Sequence, residues 1–227
     1  MKTVSVIVPV YFNEKSLEPL FRRLTNIEDI LRGRDVCLEL IFVDDGSKDG
    51  SLCKLLQLRE ARPSTRVIRL SRNFGAVHAS KCGLNYVTGD CFLILAADLQ
   101  DPPELILDMV AKWQQGSKFT ICVRRTRHDP PISRLLSSVF YLILRIFVLR
   151  AYPRTGFDLA LLDSSLLPYI VNSSKRLYTP LLAFWLGFTP DVIYYDRQLR
   201  RFGKSRWSFT KKLDAALDIL LGFSVTP

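Results

Sequence analysis

The chain has 227 residues, 48% of them hydrophobic and 24% charged, with a formal net charge of +10. That length and apolar content suit one sizeable folded domain, or a domain with an appendage, and exclude a disordered chain. The basic surplus favours anionic partners: nucleotide diphosphates, phospholipid headgroups or nucleic acid.

The first 125 residues alternate strand and helix. Strands are predicted at 4–10, 37–43, 66–70, 91–95 and 119–123, with helices at 16–31, 50–60, 76–87 and 103–114 between them. The strand runs are apolar throughout, the pattern of strands buried on both faces. Alternation at this spacing predicts an α/β fold, a mainly parallel sheet with helices on both faces. Because Met1 to Val10 leads straight into a strand, no secretory leader is expected. Beyond Pro130 the pattern loosens into an apolar helix, an irregular segment at 152–162, two helical stretches and a strand at 192–197. No repeat or linker divides the chain.

Two late segments are strongly apolar. One, 135–149, carries Arg145; the other, 213–225, places Asp214 and Asp218 on one helical face. Neither reaches the uncharged length that spans a bilayer. They read either as core-facing amphipathic helices or as helices lying in a membrane interface, which basic flanks favour. Cys37, Cys53, Cys82, Cys91 and Cys122 are odd in number, form no Cys-x-x-Cys pair and fall mostly in apolar runs. Buried, reduced thiols in a cytosolic setting are expected, with no zinc site.

Chemistry-bearing residues gather where the predicted strands end. The first strand runs into Pro9-Val10-Tyr11-Phe12-Asn13-Glu14, which is not a dinucleotide fingerprint. The second runs into Asp44-Asp45-Gly46-Ser47-Lys48-Asp49-Gly50. Adjacent carboxylates there could hydrogen-bond a base or ribose, while Ser47 and Asp49 read as helix caps. After the fourth comes Ala96-Ala97-Asp98-Leu99-Gln100-Asp101-Pro102-Pro103-Glu104. Asp98 and Gln100, oxygen donors one residue apart at a strand's carboxyl end, suit a hard divalent cation holding a diphosphate. Asp101, Pro102 and Glu104 read as a helix start, with Asp101 as the cap. Gly203-Lys204-Ser205 is no Walker motif, because Gln198 stands where that motif needs glycine. Basic residues cluster at Arg124, Arg125 and Arg127, and again from Arg197 to Lys212. The aromatics are not arrayed with these clusters, so no nucleic-acid partner is expected.

Taken in order, Pro-Val-Tyr-x-Asn-Glu (9–14), Val-Asp-Asp-Gly-Ser-x-Asp-Gly (43–50), Arg72-Asn73-Phe74-Gly75, Gly89-Asp90 and Ala-Asp-Leu-Gln-Asp-Pro-Pro-Glu (97–104) resemble a family 2 glycosyltransferase of the GT-A fold. Arg124-x-x-Arg127-x-Asp129, Gly156-x-Asp158, Trp185-Leu186-Gly187-Phe188 and Arg200-x-x-Gly203-Lys204-Ser205-Arg206-Trp207 resemble its polyprenyl-phosphate branch. The resemblance implies inverting transfer of one sugar from a nucleotide diphosphate, UDP favoured over GDP, to a polyprenyl phosphate at the cytoplasmic membrane face. It implies that Pro9, Tyr11, Glu14, Asp44, Asp45, Ala97 and Asp98 hold the nucleotide sugar, with Arg200 and Lys204 on a loop closing over it. Asp98 and Gln100 would bind Mg²⁺ or Mn²⁺. Arg124 and Arg127 would meet the acceptor phosphate, and Asp158 would serve the site or buttress an arginine. On this reading 1–130 is the nucleotide-sugar half of a GT-A domain, 131–207 the acceptor half, and 208–227 a juxtamembrane amphipathic helix. Phe223-Ser224-x-x-Pro227 resembles the segment preceding membrane-spanning helices in bacterial members. An anionic membrane surface is the expected further partner; the sequence carries no signal for oligomeric state.

One departure stands out: the family's Asp-x-Asp begins here with Ala96. Either one carboxylate, waters and diphosphate oxygens suffice for the cation, or the chain is a catalytically impaired homologue. A third alternative is a GT-A enzyme acting on a saccharide acceptor.

Overall fold

The computed structural model describes residues 1–125, 156–173 and 179–199, with 142, 144–146, 152, 153 and 202 as isolated positions. Apolar runs build the first strands, β1 (Lys2–Val10), β2 (Val36–Asp44), β3 (Arg66–Arg69) and β4 (Cys91–Ile94). Between them lie α1 (Glu14–Arg32), α2 (Ser51–Ala61) and α3 (Ala76–Leu84). Next come α4 (Leu105–Gln114), β5 (Phe119–Arg124) and β6 (Leu159–Asp163), then α5 (Leu167–Val171), α6 (Thr179–Trp185) and β7 (Asp191–Tyr195). These strands form one seven-stranded sheet in the order β3-β2-β1-β4-β6-β5-β7.

Every pairing is parallel except those of β6, which runs antiparallel between β4 and β5. This corrects the expected irregular segment at 152–162. Leu159-Ala160-Leu161-Leu162 has no alternation, and leucine and alanine favour helix, so nothing local marks it as a strand. Its partners are fixed only by the tertiary fold. Leu161, fully buried, lies opposite Leu93 and Thr120.

Both sheet faces are covered, as the unbroken apolar runs predict. Val4, Val6 and Val8 point into one core with Leu17, Leu20 and Leu24 of α1 and Ile106, Met109 and Val110 of α4. Ile7, Ile41 and Val43 point into a second core with Ala79 and Leu84 of α3. Helix α3 lies close on the sheet at Gly83, where a Cβ would sit 2.5 Å from Ile7 Cγ2. Phe119, Ile121, Phe157, Phe184 and Leu144 extend that second core toward β5.

All five cysteines are free thiols, but only Cys91 and Cys122 are buried and Cys53 is exposed, which corrects the expectation of general burial. Among the described residues no helix is long and apolar enough to cross a membrane. Most of 135–149 and all of 213–225 lie outside the described residues. So does the division at 130/131; residues on both sides of it supply strands to the one sheet.

Candidate active site

Parallel strands share direction, so the carboxyl ends of β1, β2, β4, β5 and β7 meet at one edge, and antiparallel β6 begins there. Asp44 ends β2, and Asp98 lies just beyond β4, with β1 between them. The two carboxylates thus flank β1 rather than terminating adjacent strands. Of the three non-glycine residues with positive φ among the described residues, two lie at this edge, Phe12 (φ 57°) after β1 and Leu99 (φ 60°) between Asp98 and Gln100. Such conformations concentrate at working loops.

On the donor side, Pro9 pairs with Val43 in register and Val10 with Asp44. The Asp44 side chain is fully buried. Its Oδ1 accepts the Ser47 backbone N–H at 3.3 Å, while its buried Oδ2 has no partner among the described residues. A buried carboxylate oxygen left over at the carboxyl end of a strand fits a site awaiting an N–H donor. Asp45 is different. Its carboxylate accepts Asn73 Nδ2 (2.8 Å) and the N–H groups of Phe74 (2.7 Å) and Gly75 (2.8 Å). It therefore organises the loop after β3. Gly46 (φ 69°) completes that junction, because a Cβ there would lie 2.6 Å from the Arg72 carbonyl carbon. Arg72 stacks over the Phe74 ring at 4.4 Å.

Glu14 opens α1 and its Oε2 accepts the Gly50 N–H at 3.1 Å. Tyr11 donates its backbone N–H to Asn13 Oδ1 (2.9 Å), and its ring meets Phe12 edge-on. Gly50, not Asp49, caps α2; Asp49 stands one residue earlier and accepts the Ser51 N–H at 3.2 Å, which braces the turn into the helix. Ser47 instead accepts the Phe12 N–H at 3.1 Å, joining the loops after β1 and β2.

In the loop after β4, Ala96 is exposed, Ala97 buried, and Asp98 and Gln100 half-buried. Asp98 Oδ1 accepts the Gln100 N–H at 3.1 Å. Among the described residues no three His, Cys, Asp or Glu side chains cluster as a metal cage. The donor set is one carboxylate and one amide oxygen. That fits Mg²⁺ or Mn²⁺ only as an ion that takes its other ligands from water and a diphosphate, as Mg²⁺ commonly does.

Asp101 does not cap α4, which starts at Leu105 after a Pro102-Pro103-Glu104 turn. It is 4% exposed and accepts the Tyr195 hydroxyl at 2.6 Å. Arg197 Nε lies 3.1 Å from the same oxygen, an ion pair without hydrogen-bond alignment. Burial, then the charge of Asp158, push the Asp101 carboxyl above its usual range, against Arg197, the Tyr195 bond and Arg124. Asp158, just before β6, grips Arg124 in a bidentate pair, and its Oδ2 lies 2.9 Å from the Tyr195 hydroxyl, whose single proton it shares with Asp101. Burial opposes the charge on Arg124, but Asp158 outweighs it and holds the guanidinium above its ordinary pKa. Burial and the two carboxylates raise the Tyr195 phenol as well, so it stays a proton donor.

Asp158 is therefore the buttress of Arg124, one of the two roles its sequence allowed. Arg127, Arg200 and Lys204 lie outside the described residues. Tyr195 was not singled out from sequence. Its signal was available, since it falls within the strand predicted at 192–197, whose end reaches the same edge.

The profile of glycosyl transferase family 2 matches residues 5–163. This chain belongs to glycosyl transferase family 2. An uncharacterized glycosyltransferase of Synechocystis sp. is 33% identical over 99% of this chain and 70% of its own length. Among solved structures, glucosyl-3-phosphoglycerate synthase from Mycobacterium tuberculosis, in complex with Mg²⁺ and UDP, superposes with a TM-score of 0.66. It is 16% identical, over 98% of this chain and 79% of that one. A mannosyltransferase from Pyrobaculum calidifontis, in complex with GDP-Man and Mn²⁺, superposes with a TM-score of 0.56 at 21% identity, over 85% of this chain and 56% of that one. At these identities the structural likeness establishes the GT-A fold. In this family 2 glycosyltransferase, the profile ends at residue 163, the last residue of β6.

Proposed function

We propose that this glycosyltransferase moves one sugar from a UDP-sugar to a polyprenyl phosphate, with inversion, at the cytoplasmic face of the plasma membrane. The observation that carries the reading is the single sheet edge on which a donor side (Asp44, Asp98, Gln100) meets guanidinium groups (Arg124, Arg125, Arg197) from the ends of β5 and β7. Donor choice is argued from Asp44. One buried oxygen without a partner among the described residues matches the one imino N–H of uracil better than the several donors of guanine. Asp98 and Gln100 would hold Mg²⁺ or Mn²⁺, which offsets the charge of the diphosphate as it departs.

A phosphate monoester has its second pKa near about 6, so the acceptor is already a dianion at neutral pH. Its oxygen attacks the anomeric carbon from the side opposite the diphosphate. The new C–O bond forms as the bond to UDP breaks, and the configuration inverts. Such a nucleophile needs cations to orient it rather than a base. A saccharide hydroxyl would need a general base. Here Asp101 is 4% exposed and Asp158 is held by Arg124, so neither is open to a hydroxyl. Arg127 would join Arg124 at the acceptor phosphate, with Arg200 and Lys204 closing over the donor. Leu142 (54% exposed) and Ile146 (60% exposed), one helical turn apart, supply apolar side chains for a bilayer surface.

The test is a panel of nucleotide sugars offered with undecaprenyl phosphate and Mg²⁺ or Mn²⁺, read as lipid-linked sugar. Product from a UDP-sugar supports the reading. Transfer only to saccharides overturns the acceptor, and binding of nucleotide sugar without any transfer would identify an impaired homologue.

A further inference from the structure

One short stretch, Tyr195 to Gln198, touches both halves of the edge. Tyr195 is 5% exposed and its backbone is fixed by pairing with Arg124 and by accepting the Arg125 N–H at 2.9 Å. Its hydroxyl lies 2.6 Å from Asp101 Oδ1 and 2.9 Å from Asp158 Oδ2. The same Asp158 Oδ2 receives Arg124 Nε, while Oδ1 receives Nη2. Three residues on, the Gln198 N–H donates to the Gln100 carbonyl at 2.9 Å.

We propose that Tyr195 is a positioning residue, whose hydroxyl sets the plane of the Asp158 carboxylate and through it the presentation of the Arg124 guanidinium to the acceptor phosphate. This rests on the polyprenyl-phosphate reading for its kinetic consequence, but not for its structural one. A bidentate pair fixes carboxylate and guanidinium relative to each other, but the two can still turn together unless a further donor anchors them. The phenol is that donor, its one proton shared between Asp158 Oδ2 and Asp101 Oδ1, so that Asp101, in the loop that carries Asp98 and Gln100, anchors it in turn. The strap from Tyr195 to Gln198 thereby ties the orientation of the acceptor arginine to the loop that holds the donor. Removing the hydroxyl leaves the buried ring in place and takes the shared donor from Asp158 and Asp101.

Tyr195→Phe tests it with two readouts. In arginine-labelled protein, the Arg124 Nε–H resonance is assigned by its loss in Arg124→Lys. Its hydrogen exchange should quicken by about tenfold in Tyr195→Phe, the scale of losing one hydrogen bond to a charged group. In the transfer assay, KM for undecaprenyl phosphate should rise by about as much, while UDP affinity and KM for the nucleotide sugar stay within about twofold. In an Asp158→Asn background the Phe substitution should add nothing, since the hydroxyl acts through Asp158. Unchanged Arg124 exchange overturns the proposal, as do losses that multiply in the double variant or fall equally on the donor. If the wild-type chain makes no lipid-linked sugar, the acceptor reading fails, and the exchange measurement still decides the role of Tyr195.

Discussion

Asp98 is the one carboxylate of Ala96-Ala97-Asp98, and the exposed methyl of Ala96 adds no donor beside it. Losing it should cost the several kcal/mol that a bound cation contributes to transfer, a fall of about 100-fold or more in Asp98→Ala. Ala96→Asp should keep activity and tighten Mn²⁺, measured by calorimetry in the presence of UDP. Full activity of Asp98→Ala in the presence of a chelator would remove the cation from this loop. The strand-end carboxylates Asp44 and Asp98 were legible in the sequence, because the strand runs before them are unbroken, Asp44 is too early to cap, and Asp98 has Gln100 beside it. Asp101 was not. Followed by Pro-Pro-Glu it has the local form of a helix cap, and its real partner, Tyr195, lies 94 positions away. Asp45 was misleading in the other direction: beside Asp44 it looks like a second ligand group, yet its oxygens accept backbone and side-chain donors from the loop after β3.

Among the elements, β6 carries the most consequence for its length. Leu161 is fully buried between β4 and β5, so Leu161→Ala should destabilise the fold by about 2–5 kcal/mol, read as a lower urea midpoint. At the end of the same strand, Asp163 Oδ2 accepts Trp113 Nε1 at 2.9 Å, pinning α4 to the sheet. Burial works against ionisation of Asp163, but donors from Ser165 and Trp113 outweigh it and lower its pKa. A lowered carboxyl stabilises the fold above its unfolded pKa of about 3.9, and that contribution is lost as pH falls through the folded value. Urea midpoints of wild type and Asp163→Asn should therefore differ at pH 7, and the gap should narrow as pH falls below about 3.9. A constant gap would show that the charge is not what Asp163 contributes. The helices and parallel strands were readable because apolar periodicity is a local signal; β6 was not, because an antiparallel insertion is specified by neighbours distant in sequence.

At the scale of the whole molecule, the formal charge of +10 and the apolar segments at 135–149 and 213–225 have to be read together. Each basic residue near an anionic surface contributes about 1 kcal/mol, so several act together even without a spanning helix. The chain should float with anionic vesicles at low ionic strength and release at high salt, where screening weakens the attraction. A protein that stays at the bottom of the gradient in low salt would leave those segments as core helices. The place of β6 in the sheet also bears on synthesis. Strand β4 pairs with β1 on one side, but its other edge waits for β6, since β5 does not touch it. Roughly 65 residues separate Ile94 from Leu159, so at about 5–20 residues per second that edge stands open for about 3–13 s on the ribosome. Cys91-Phe92-Leu93-Ile94 is apolar and β-prone, the kind of edge that pairs with whatever strand arrives first. Pausing between the codons for residues 95 and 158 should therefore lower the yield of folded chain more than pausing after residue 163, where the sheet's centre is already closed.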